Sequence, residues 1–134
     1  MQKHKWLKYL GAFSIVPGSP SMEESLDYAA EILSKPGNLL VYYPQGNLES
    51  AHVRYIEFKD GLSLIVPKIK GNCQLIWCTI NLEYFESTKP SAYFNMLDCS
   101  TNSDFNFETL KARVNEHHLA AIKSTIRFTK EPGV

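Results

Sequence analysis

Leu39 to Tyr43 is an unbroken apolar run, too short for a helix and bounded by Gly37 and Pro44. Such a run reads as a strand buried on both faces, which requires covering elements above and below it. The flanking sequence offers them. Ser21 is expected to cap a helix, with Glu23 and Glu24 in the first turn facing its positive end. Leu26, Ala29, Ala30 and Leu33 recur at helical spacing, and Pro36-Gly37 ends the run. Beyond Phe58-Lys59-Asp60-Gly61, Leu62, Ile65, Val66 and Ile69 share one helical face, shortened or kinked by Pro67.

Further elements fill out the pattern. Ala12 to Val16 is a short β-prone run closed by the turn Pro17-Gly18-Ser19-Pro20, and Cys73 to Leu82 and Ala92 to Leu97 are strand candidates. Asn106 is a good cap for a last helix with Phe107, Leu110, Val114, Leu119, Ile122 and Ile126 near one face, closed by Pro132-Gly133. The opening residues 1–10 mix Lys3, Lys5 and Lys8 with Trp6, Leu7, Tyr9 and Leu10, which suits a short basic amphipathic helix, packed on the sheet or laid on a membrane surface. Helices alternating with strands predict one α/β domain, its mixed and mainly parallel central sheet flanked by helices.

Composition narrows the function classes. Fourteen basic residues balance fourteen acidic ones, so there is no electrostatic footprint for nucleic acid. Cys73, Cys78 and Cys99 form an odd set without a Cys-x-x-Cys pair, which argues against a disulfide framework and a zinc site and favours a reducing cytoplasm. No stretch approaches the roughly 20 apolar residues that span a bilayer. No bound cofactor or metal is expected.

Ligands of open α/β sheets gather beyond the carboxyl ends of the strands, which directs attention to Pro44-Gln45-Gly46-Asn47 after the apolar run. Gly46 admits a positive φ or close approach of a ligand, and Gln45 offers an amide, although a simple tight turn explains the same residues. Arg54 and Lys59, just beyond, suit a phosphate or carboxylate, or a solvated loop. His117 and His118 are adjacent on the last helix and cannot share a face, so solvent exposure is expected for them.

Four segments in order carry a resemblance: Gly11-Ala12-Phe13-Ser14-Ile15, then Glu23 to Leu33, then Val41-Tyr42-Tyr43-Pro44-Gln45-Gly46, then Phe58-Lys59-Asp60-Gly61. From about Gly11 to Tyr84 the chain resembles phospholipid/glycerol acyltransferases, relatives of 1-acylglycerol-3-phosphate acyltransferase. Tyr43-Pro44-Gln45-Gly46 is similar to that family's Phe-Pro-Glu-Gly motif. The resemblance implies transfer of a fatty acyl group from a thioester, on coenzyme A or acyl carrier protein as co-substrate, to a hydroxyl-bearing lipid acceptor with or without a phosphate. It also implies a cytoplasmic protein with peripheral contact to the membrane's inner face.

The chain departs from the family at the chemistry. The family's His-x-x-x-x-Asp motif, whose histidine is the general base, precedes the Gly-x-x-Phe segment. Here His4 has Tyr9 at the aspartate position, so the pair is not found, and the domain is expected either to lack the N-terminal part that carries it or to have diverged and lost it. The second motif lacks its phosphate-holding arginine, having Val16-Pro17-Gly18, and Gln45 stands for a glutamate. His52 with Glu57 has the motif's spacing but follows the Pro-Gln-Gly loop, which leaves it a weak candidate base. The chain alone is therefore expected to be inactive. A non-catalytic module binding a lipid or an acyl carrier is the alternative.

Overall fold

The computed structural model describes residues 9, 11–13, 15, 18–50, 52–84 and 88–125. The expected basic helix of residues 1–10 lies outside these, apart from Tyr9, as do Ser14, Val16, Ile126 and the closing Pro132-Gly133. The fold is mixed α and β. Helix α1 is Ser21–Leu33, helix α2 is Gly61–Ile65 running into a 3-10 turn at Val66–Lys68, strands β1 and β2 are Gln74–Glu83 and Ser91–Thr101, and helix α3 is Phe107–Thr125.

Two clusters make the core. Leu26, Ala29 and Ala30 of α1 pack against Ile65, Val66 and Ile69, with Phe13 and Ile15 laid on the same cluster. Pro67 sits in the first turn of the 3-10 segment, so the chain tightens instead of extending α2 and still delivers Ile69 to the core. Ion pairing of Lys68 with Asp27 bridges the two elements at the surface. The second cluster joins Ile56, Phe58, Cys99 and Val114, and Leu62 and Leu75 touch both clusters.

Helix α1 begins one residue earlier than a Ser21 cap implies. Pro20 occupies the cap position without a side-chain hydrogen bond, and the Ser19 carbonyl accepts the Met22 N–H at 3.0 Å. At α3 the expected cap forms, with Asn106 Oδ1 accepting the Thr109 N–H at 2.9 Å.

The expected mainly parallel central sheet is not what the described residues form. Their sheet is two-stranded, β1 antiparallel to β2, in register from Trp77 opposite Leu97 to Glu83 opposite Ser91, with a bulge between Gln74 and Ile76. Only seven residues separate the strands, enough for a hairpin and too few for the crossover that parallel pairing needs. Leu39 to Tyr43 is not a buried central strand either. It is extended but joins no ladder, and Leu39, Val41 and Tyr43 are 85%, 68% and 79% exposed while Leu40 and Tyr42 turn toward the core. The apolar run is there; a neighbouring strand on it is not.

A polar band holds α3 in place. The side-chain amide of Asn115 spans the backbone of Ile56, its Oδ1 accepting the Ile56 N–H at 2.7 Å and its Nδ2 donating to the Ile56 carbonyl at 3.1 Å. Those are the two bonds a neighbouring strand would otherwise supply. One turn on, His118 Nε2 donates to the Val53 carbonyl at 2.8 Å. The buried stripe of α3 is thus Val114, Asn115, His118, Ala121 and Thr125, and Leu119, expected inside, is exposed. Replacing Asn115 with alanine strands two buried backbone groups, at about 1–3 kcal/mol for each group left unsatisfied. Urea unfolding of Asn115→Ala should show a loss of about 3 kcal/mol; a change below about 0.5 kcal/mol would mean that the clasp contributes nothing.

Candidate functional site

The Pro44-Gln45-Gly46-Asn47 loop is held by the segment that follows it. The Lys59 N–H donates to the Pro44 carbonyl at 2.8 Å, and the Gly46 N–H closes a turn onto the Tyr43 carbonyl at 3.3 Å. Gly46 has φ +67°, and a Cβ there would stand 3.2 Å from Lys59 Cγ, so both conformation and space favour glycine. Gly61 is needed for another reason. The Tyr42 ring lies over it so closely that a Cβ would overlap the Tyr42 hydroxyl and come within 3.1 Å of Cζ. Half-buried there, the Tyr42 phenol has its pKa raised by desolvation.

Two of the segments singled out in the sequence therefore interlock: Tyr42, Pro44 and Gly46 face Lys59 and Gly61. A third lies on the first core cluster through Phe13, whose ring meets that of Tyr28 edge-on at 5.4 Å between centroids. Of the expected site residues, Pro44 is buried, Gln45 is half-buried, and Gly46, Asn47, His52, Arg54 and Lys59 are exposed. Gln45 Nε2 donates to Glu49 Oε2 at 2.6 Å. The sequence reading omits Glu49, although its position four residues after Gln45 across a glycine turn is the available signal. It brings a carboxylate to the loop where Gln45 itself carries none.

The histidines divide by partner. His52 sits in an exposed turn, with its backbone N–H on Ser50 Oγ at 3.2 Å and no hydrogen bond from its ring to Glu57 or another described residue. His118, expected at the surface, is only 5% exposed, and His117 is half-buried with Nε2 at 3.1 Å from the Asn95 carbonyl. The Val53 carbonyl can only accept, so His118 Nε2 carries a proton, and Nδ1 is buried without a hydrogen-bond partner. No described histidine is hydrogen-bonded to a carboxylate, the arrangement that a His/Asp base requires. Burial pushes the Cys73 and Cys99 thiols up, away from thiolate character. No group of three metal-binding side chains occurs among the described residues.

Beside the loop opens a cavity of about 490 Å³, within the range of small-ligand sites. Tyr42 and Pro44 border it together with Phe58, Leu62, Ile65 and Val66, and among the described residues its charged lining is Lys35 and Lys70. No described helix is long and apolar enough to cross a membrane. No family model, curated protein or solved structure matches the chain.

The packing of Tyr42 on Gly61 gives a test of the loop's architecture. Gly61→Ala must displace the ring, an overpacking cost of about 1–3 kcal/mol. Thermal unfolding should show that loss, and Tyr42→Phe added to it should restore part of it by removing the overlapping oxygen. Equal stability of Gly61→Ala and the parent would disprove the contact.

Proposed function

We propose that this chain is the acceptor-side scaffold of an acyltransfer site, built around Pro44-Gln45-Gly46-Asn47, and that on its own it does not turn over acyl thioesters. The observation that carries this is the interlocking of Tyr42, Pro44 and Gly46 with Lys59 and Gly61. Segments that carry the resemblance to phospholipid/glycerol acyltransferases meet in space as one loop pair.

In acyl transfer a base removes the acceptor's hydroxyl proton, the oxygen attacks the thioester carbonyl, and the thiolate leaves and takes up a proton. Of these tasks the loop suits positioning. Gln45 Oε1 remains able to accept from a hydroxyl while Nε2 is held by Glu49, and Arg54 and Lys59 are exposed cations suited to a phosphorylated lipid acceptor. The base is not among the described histidines. We place the protein in the cytoplasm, meeting lipid at the membrane's inner face, with coenzyme A or acyl carrier protein bearing the acyl group.

Free-thiol release from acyl-coenzyme A and acyl carrier protein, over a panel of hydroxyl acceptors, should stay at the uncatalysed rate for the chain and for His52→Ala alike. Amide resonances of Gln45 to Lys59 should shift saturably with a lysophospholipid bearing a phosphate. Turnover that His52→Ala abolishes would make His52 the base and refute the scaffold reading, and so would the absence of both turnover and binding.

A further inference from the structure

The cavity has a geometry that its volume alone does not convey. Successive residues of a strand point to opposite faces, so a space touching only one face is lined by alternate residues. On the β1 side this one is lined by five consecutive residues, Cys73 to Trp77, whereas on the other side Leu40, Tyr42 and Pro44 line it and Val41 and Tyr43 do not. It therefore runs along the backbone edge of β1 and against the inward face of Leu39 to Tyr43. On the β1 side the opposite edge is occupied by β2, so the edge toward the cavity is the free one. On the other side, Leu39 to Tyr42 make no backbone hydrogen bond with described residues outside the segment and belong to no ladder.

We propose that the cavity is a docking slot for one extended polypeptide strand, supplied by a partner, which pairs with the free edge of β1 and lies against Leu39 to Tyr42. The edge of β1 away from β2 offers backbone N–H and C=O groups that an incoming strand can pair, the mode in which a strand completes a sheet. Side chains define the strand's character. The cavity walls offer it Leu62, Ile65 and Val66, with the exposed side chains of Ile76 on one side and Leu39 on the other. A strand apolar on both faces and rich in β-branched residues fits.

Charge sets its end. Lys35 and Lys70 line the slot and no acidic residue does; Lys35 is paired with Glu31, whereas Lys70 makes no ion pair with a described residue. The Lys70 ammonium is left for an acidic side chain at one end of the incoming strand. This inference rests on the free backbone edge of β1 and on charge, and stands whether or not the chain serves acyl transfer.

The test uses the whole chain and a panel of synthetic six-residue peptides rich in valine, isoleucine and threonine, each with one aspartate at either end. Titration followed by amide resonances should give saturable binding, with the largest shifts at Leu39 to Tyr42 and Gln74 to Trp77. N-methylation of alternate peptide amides should weaken binding at least tenfold, and Lys70→Glu, at an exposed site, severalfold. Peptides that bind equally well when N-methylated would overturn the proposal. So would a panel that fails to bind, or decanoate that fills the slot and excludes the peptides, since the cavity would then be an acyl-chain site.

Discussion

The amide of Asn115 does for this fold what a strand does in an ordinary sheet. By bonding both the N–H and the carbonyl of Ile56, with His118 serving Val53 one turn further along α3, it lets an extended segment lie buried without a ladder. Everything that follows the segment depends on that position. Ile56 and Phe58 enter the second core cluster, Lys59 is thereby set to bond Pro44, and the loop from Tyr42 to Asn47 takes its shape from Lys59 and Gly61. A helix side chain thus determines the geometry of a loop more than sixty residues earlier.

The complement to this satisfied edge is the unsatisfied one. The segment Leu39 to Tyr43 and the near end of β1 are both extended, both apolar, and separated by a slot instead of a strand. The exposed apolar surface continues across the hairpin, where Ile76, Ile80, Leu82, Phe94 and Met96 face outward. The proposed scaffold and slot then form one picture: a loop braced from within, beside an edge of β1 that pairs with no described strand.

Local chemistry was legible in the sequence wherever the cause was local. Asn106 caps α3 because its carboxamide reaches Thr109, and Pro67 ends α2 because its ring cannot continue it. Gly46 stands in a turn of positive φ, as its place in the Pro-Gln-Gly loop suggested. Long-range burial was not legible. An apolar run records what a strand would bury, not whether a neighbour covers it, so Leu39 to Tyr43 read as central and is half exposed. The polar stripe of α3 was hidden for the converse reason: Asn115 and His118 are buried to satisfy backbone groups of Ile56 and Val53, a demand invisible in the periodicity of apolar residues. Glu49 escaped notice because its partner is a neutral amide.

Amide hydrogen exchange of the isolated chain tests the central claim, a clasped edge at Ile56 and an open one at Leu39 to Tyr42, most directly. The account predicts slow exchange at Ile56 and at the paired amides of β1 and β2, and fast exchange at Leu39 to Tyr42. Protection of Leu39 to Tyr42 equal to that of the hairpin would show that the chain fills the slot itself, and would contradict it.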